Sequence, residues 1–178
     1  ESVESRYDAC GAVPSSPAAG SSEPGEAALW VARVLLARAE RITGGGLVWR
    51  YRPIVGGPGW RDHHLYDGSL GPALFLAALA RATGDVEWAD AARDARAPLR
   101  AHAVRHGATS WPGESFGGGN GLGAIVYGTT LLAALTGEDD WLEIATSLAV
   151  ALPARLAVDR PVDVIDGSAG AVLALLAL

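Results

Sequence analysis

The sequence predicts an all-α protein built of helical hairpins in two layers, an α/α toroid. Three observations lead to this fold class. A glycine motif opens an apolar segment three times, a Thr-Gly-acidic turn opens an amphipathic segment twice, and we find no strand pattern. One unit that recurs at a spacing of about fifty residues is typical of helical repeat architectures.

The segments before the repeats are less regular. Residues 1–25 are rich in Ser, Pro and Gly, which predicts a linker or the tail of a preceding domain. A first helix is predicted from about residue 26 to the glycines at 44–46. The apolar residues with helical spacing are Val31, Val34, Leu35 and Ile42. The segment 48–64 contains several Pro and Gly residues, which predict an irregular connection.

The first repeated marker is a glycine motif followed by an apolar helix. Gly68-Ser-Leu-Gly71, Gly121-Leu-Gly123 and Gly167-Ser-Ala-Gly170 each lead into a segment that is apolar nearly all round. The last glycines lie at 71, 123 and 170, so the spacing is 52 and then 47 residues. Because a helix that is apolar on all sides is usually buried on several sides, we expect three inner helices.

The second marker starts the outer helices. Thr83-Gly84-Asp85 recurs as Thr136-Gly137-Glu138, and each copy stops one helix and begins a one-sided helix. Trp88 and Trp141 lie on the apolar faces of these helices, so we expect them in the core rather than in a ligand cage. Alternation of buried and one-sided helices favours a closed toroid over an open solenoid.

Inner helices of such a double layer run parallel, so the glycine loops before them should gather on one rim. Two interpretations of the glycines stay open. Backbone amides and helix N-termini could face an anionic intermediate. Alternatively, the glycines could serve close packing alone.

Composition excludes several classes of partner. The net charge of −6 argues against nucleic acid or an anionic membrane as an obligatory partner. The apolar runs are shorter than the ~20 residues of a membrane span, and no signal peptide is recognisable, so we expect a cytoplasmic protein. Cys10 is the only cysteine, so neither a disulfide nor a cysteine-based zinc site can close within the chain.

The two chain ends and the choice of basic residues also indicate the origin of the chain. The chain has no methionine, and its last apolar run, 169–178, has no C-cap residue, so we expect a fragment of a longer protein. All 14 basic residues are Arg, which indicates a GC-rich, bacterial gene.

Three strings carry a resemblance to a known family: Leu65-Tyr-Asp-Gly-Ser-Leu-Gly71, Gly119-Asn-Gly-Leu-Gly-Ala-Ile-Val-Tyr127 and Asp163-Val-Ile-Asp-Gly-Ser-Ala-Gly170. In order and spacing, residues 26–178 resemble the N-terminal part of a lanthionine synthetase C-like cyclase domain. The first string is most similar to the C-terminal cyclase domain of class II lanthipeptide synthetases, which also carry a dehydratase domain.

The resemblance implies a toroid of about seven hairpins, of which this chain would hold about the first half. It implies an active-site zinc held by two Cys and one His, all from later repeats, so we expect no metal ligand in this chain. The whole protein would add a zinc-activated Cys thiolate to dehydroalanine or dehydrobutyrine in a precursor peptide, giving a thioether ring.

Asp163 is the one site residue that the resemblance implies. It matches the aspartate before the third glycine motif, which is implicated in acid/base or orienting work beside the zinc. The residue pattern by itself also predicts a turn or helix-cap residue, and the two roles are compatible.

Other polar residues have weaker claims to a site. We expect His63 and His64 in a loop and His102 and His106 facing solvent at the end of an outer helix. Glu114 precedes the second inner helix and could touch a substrate. Two further functions stay open: a carbohydrate-active α/α toroid with paired carboxylates, and a binding protein of the same fold without metal chemistry.

Overall fold

The computed structural model describes residues 24–42, 45–49, 63–66, 68–107, 115–156 and 161–178. These ranges contain six helices and one two-stranded sheet, so the all-α prediction is confirmed. The helices are α1 (Pro24–Ala37), α2 (Leu70–Thr83), α3 (Val86–His106), α4 (Leu122–Thr136), α5 (Asp140–Leu156) and α6 (Ser168–Ala177). The strands are β1 (Glu40–Arg41) and β2 (Leu47–Val48), which pair antiparallel.

The end of the first helix differs from the prediction. α1 stops at Ala37, and the chain then forms the β1–β2 hairpin instead of continuing to the glycines. Gly45 and Gly46 have φ of 90° and 114° and make the turn between the strands, where glycine is favoured. Leu47 is buried, and Gly46 lies against Pro98 of α3. Packing on α3 therefore outweighs the helical spacing that extends to Ile42.

The two helical hairpins form where the Thr-Gly-acidic marker predicts them. Gly84 and Gly137 end α2 and α4 in the left-handed conformation, with φ of 70° and 72°. Asp85 then caps α3 by accepting a hydrogen bond of 2.9 Å from the Glu87 amide. Trp88 and Trp141 are both buried, so their predicted core positions are confirmed.

The helices are arranged in two layers. α2, α4 and α6 lie side by side in that order, while α3 packs on α2 and α5 packs on α4. α2 and α4 approach closely at Gly128, where a Cβ would overlap the side chain of Leu70. Ion pairs between α3 and the start of α5 join the outer helices. This is the alternation of inner and outer helices that the repeat predicts.

Burial of the inner helices is uneven. α4 is buried along most of its length, as expected for an inner helix. α6 packs on α4 through its small residues Ala171 and Ala174, but Val172, Leu173 and Leu176 on its other side are exposed. Within the described residues α6 is therefore buried on the side that packs against α4 and exposed on the other. None of the described helices is both long and apolar enough to cross a membrane.

Candidate functional site

Three loops precede the inner helices and lie together. Loop 1 comprises residues 63–66 with 68–69, loop 2 residues 115–121 and loop 3 residues 161–167. The Tyr66 amide of loop 1 donates to the Gly119 carbonyl of loop 2 at 3.1 Å. The Gly118 amide of loop 2 donates to the Val164 carbonyl of loop 3 at 2.8 Å. The predicted common rim is confirmed, and "the rim" below means these three loops.

The amides at the start of α4 are already bonded within the protein. The Gly123 amide donates to the Phe116 carbonyl at 3.2 Å, and the Ala124 amide donates to the Gly117 carbonyl at 2.8 Å. These groups would otherwise be the free donors of a helix N-terminus. The interpretation that the rim amides face an anionic intermediate is therefore wrong for α4.

Gly117 of loop 2 and Gly170 of α6 permit close contact between loops 2 and 3. A Cβ on Gly117 would overlap the Ile165 carbonyl, and one on Gly170 would overlap the Gly118 amide and the Val164 carbonyl. Each glycine is thus required by a neighbouring backbone. Of the two interpretations, close packing is confirmed for these positions.

Asp163 lies in loop 3 with an exposed side chain. Its Oδ1 accepts hydrogen bonds from the amides of Ile165 and Asp166, both at 2.8 Å. This arrangement is an Asx-type turn, which confirms the predicted turn role. Asp163 is not the cap of α6, because Gly167 occupies that position. No described residue hydrogen-bonds to its Oδ2, so this oxygen can face a substrate.

Loop 2 orients the peptide units that hold the carboxylate. The Val164 carbonyl accepts from Gly118, and the Ile165 carbonyl accepts from Gly119 at 3.1 Å and Asn120 at 2.9 Å. The C=O and N–H of a trans peptide unit point in opposite directions. Loop 2 therefore holds the carbonyls on one side and directs the two amides toward the carboxylate on the other. Hydrogen bonds in such chains polarise one another.

All four histidines of the chain lie in one cluster, where the C-terminal end of α3 meets the start of loop 1. The His102 ring centroid is 5.3 Å from that of His63 and 4.5 Å from that of His106. The expectation that His102 faces solvent is wrong, because His63 packs against it and leaves it half-buried. His63 and His64 lie in a loop as predicted, and His106 is exposed.

Burial governs the protonation of this cluster. Desolvation lowers the pKa of His63 to about 4, and the charge of His64 adds to the effect. Desolvation also lowers the pKa of His102 to about 4, reinforced by His63, His106 and Arg105. Among the described residues, no group of three or more His, Cys, Asp or Glu is arranged to hold a metal ion.

Two rim residues were not anticipated from the sequence. Tyr66 projects from loop 1 with 74% of its surface exposed. The Ser115 Oγ of loop 2 lies 2.7 Å from the Asp166 carbonyl of loop 3. A serine that opens a glycine run is a local signal, but its partner across the rim follows only from tertiary packing. Glu114 and Cys10 lie outside the described residues.

The fold and the rim define a helical-repeat protein with an exposed turn carboxylate on its rim. A family model for the lanthionine synthetase C-like protein matches residues 59–178, about two thirds of the chain. The chain belongs to the lanthionine synthetase C-like family, as the three glycine motifs indicated. The match spans α2 to α6 and all three loops. A comparison with curated proteins gave no match.

Proposed function

We propose that this chain is part of a lanthipeptide cyclase of the class II type, whose helices close into an α/α toroid. Its substrate would be a dehydrated precursor peptide, and its product a lanthionine or methyllanthionine ring. Family membership supports a lanthionine synthetase-like role. The observation that links this function to a site is the exposed Asp163 carboxylate, whose Oδ1 accepts hydrogen bonds from two amides and whose Oδ2 has no hydrogen-bond partner among the described residues.

The chemistry requires a positioned proton carrier. Addition of a cysteine thiolate to the β-carbon of dehydroalanine or dehydrobutyrine forms the C–S bond and leaves an enolate. A proton must then reach the α-carbon, and an enzyme supplies it from an acid held at a fixed position. We assign Asp163 to this step, as the acid/base itself or as the group that orients it. The rigid turn suits either role, since it fixes one carboxylate oxygen.

The zinc site of the family does not fit the residues of this chain. The single cysteine cannot supply a Cys-Cys-His ligand set, and no described group of residues could hold a metal. We therefore assign no step to zinc here. In the full-length protein we propose that its ligands come from later repeats.

The proposed partners follow from this reaction. A precursor peptide would bind at the rim, and a dehydratase domain in the same full-length protein could supply its dehydro residues. Both are cytoplasmic events in this proposal. A carbohydrate-active toroid has less support, because the family match is to the lanthionine synthetase C-like protein.

The test is cyclisation by the full-length protein encoded by this gene. Thioether formation leaves the peptide mass unchanged but consumes a thiol, so maleimide labelling followed by mass spectrometry counts the rings formed. We expect Asp163→Asn to lose about 100-fold or more of the rate, as for a general acid/base. Asp90→Asn, an exposed aspartate on α3, is the matched control and should keep the wild-type rate. A wild-type protein that forms no ring would indicate a non-catalytic relative.

A further inference from the structure

Loop 2 contacts loop 3 through one hydroxyl as well as through amides. Ser115 Oγ lies 2.7 Å from the Asp166 carbonyl and 2.7 Å from the Asn120 carbonyl. Its single proton can serve either oxygen. The Gly117 amide approaches the same Oγ at 3.4 Å. Ser115 therefore joins the two ends of the glycine run of loop 2 and reaches across to loop 3.

The contact across the rim lies at the far end of the turn that holds Asp163. The Asp166 amide donates to the Asp163 carboxylate, while the Asp166 carbonyl lies at the Ser115 hydroxyl. Asp166 is thus fixed at both of its peptide groups. Among the described contacts from loop 2 to the carbonyls of residues 164–166, Ser115 provides the one side-chain donor.

We propose that Ser115 is a positioning residue for the Asp163 carboxylate during cyclisation. This inference rests on the proposed function and adds a residue that acts through Asp163 without touching the substrate. Loss of the hydroxyl would remove the one donor that the Asn120 and Asp166 carbonyls share and would loosen loop 3 against loop 2. A displacement of about 1 Å at a reacting group can cost about 100-fold in rate, so a small loosening has a measurable effect.

The first experiment compares three variants of the full-length protein in the ring-counting assay. Ser115→Ala should lower kcat about tenfold or more with KM within about twofold, because the hydroxyl affects geometry and not peptide binding. Ser115→Thr keeps a hydroxyl and should retain most of kcat. Ser147→Ala, an exposed serine on α5, is the matched control and should behave as wild type.

A double variant separates positioning from general stabilisation. If Ser115 acts through Asp163, then Ser115→Ala should cause no further loss of kcat beside Asp163→Asn. An additive loss, or an equal loss of kcat with Ser115→Ala and Ser115→Thr, would overturn the inference. So would a Ser115→Ala protein with the wild-type kcat. A wild-type protein without cyclase activity would instead overturn the proposed function, and this inference with it.

Stability of the variants is checked by thermal unfolding. If Ser115→Ala does not fold, Ser115→Thr is measured in the wild-type and Asp163→Asn backgrounds instead. A full kcat for Ser115→Thr, or a loss that disappears beside Asp163→Asn, supports positioning. A loss that persists beside Asp163→Asn overturns it.

Discussion

The Asp163 carboxylate is held by main-chain groups, so its two oxygens have different tasks. Oδ1 accepts hydrogen bonds from two amides of its own turn, while Oδ2 has no hydrogen-bond partner among the described residues. An asparagine can keep the first interaction through its side-chain oxygen but cannot carry a proton as a carboxylate can. An Asp163→Asn substitution should therefore keep the turn but lose proton transfer.

Substitution of Asp163 tests that separation by stability. Asp163→Asn should keep the wild-type free energy of unfolding. Asp163→Ala leaves two amides without their acceptor, so it should lower the free energy of unfolding by about 1–2 kcal/mol. Urea denaturation of both variants measures the difference. Equal stability of the alanine and asparagine variants would show that the turn does not depend on the side chain.

Gly170, in the first turn of α6, lies against the backbones of loops 2 and 3. Its Cα faces the Gly118 amide and the Val164 carbonyl, so Gly170→Ala must push the loops apart. We expect a loss of about 1–3 kcal/mol in the free energy of unfolding, as for overpacked interiors. Gly25→Ala is the control, because nothing lies within 4 Å of that position, and chemical denaturation should show no loss there.

At the scale of elements, Glu138 joins the outer helices. Its carboxylate accepts from Arg96 and Arg100 of α3 and from the Trp141 indole at 3.2 Å. Burial tends to raise the pKa of Glu138, but attraction to Arg96 and Arg100 outweighs it and holds the pKa below its usual value. The Arg100 guanidinium also lies 4.7 Å from the Trp141 ring centroid.

Removal of this carboxylate should weaken the contact between α3 and α5. Arg96 is buried, so Glu138→Ala leaves a buried guanidinium without its partner, and we expect a loss of about 2 kcal/mol. Asp90→Ala removes an exposed ion pair with Arg93 and should cost less than about 0.5 kcal/mol. Guanidinium unfolding curves of the two variants should differ clearly, and similar losses would contradict a central role for Glu138.

The sequence predicts elements best where the signal is local. Gly84 and Gly137 mark helix ends because a left-handed cap needs glycine there. The β1–β2 hairpin escaped prediction because it depends on burial of Leu47 against α3, a contact distant in sequence. The turn at Asp163 was predictable, but the loop 2 amides that orient it depend on how α4 packs against α6.

The histidine cluster makes a similar point about the site. Helical spacing places His102 and His106 one turn apart on α3. Helical spacing gives no indication that His63, about forty residues earlier, packs against the ring of His102. Only the return of α3 beside loop 1 brings these residues together.

At the scale of the whole molecule, this cluster should make stability depend on pH. His63 and His102 have folded pKa values of about 4, below the ordinary value of 6.5, so the fold favours their neutral forms. The stabilisation that the fold gains from keeping His63 and His102 neutral is therefore fully present above about pH 6.5, and it is lost as the pH falls toward 4. The free energy of unfolding should decline between pH 7 and 5. His63→Gln should reduce that slope, and a flat profile in wild type would contradict the assignment.

The exposed side of α6 should govern the solution behaviour of the 178-residue chain. Leu173 and Leu176 are 53% and 78% exposed beside Val172. Contiguous apolar surface of this kind favours association. We expect the chain to self-associate, and Leu173→Gln with Leu176→Gln to shift it toward monomer in sedimentation velocity. A control pair on α5, Thr146→Gln and Ser147→Gln, should leave the association unchanged.

Hydrogen bonding along the rim has a direction. Loop 1 donates to loop 2 and loop 2 donates to loop 3, so a loop in the middle must offer carbonyls backward and amides forward. Gly119 does both, accepting from Tyr66 and donating to Ile165. A further hairpin could join this series only if its loop accepted hydrogen bonds from the preceding loop and donated them to the next. Loop 3 directs the amides of Ile165 and Asp166 onto Asp163, so these two amides are not available as donors to a further loop.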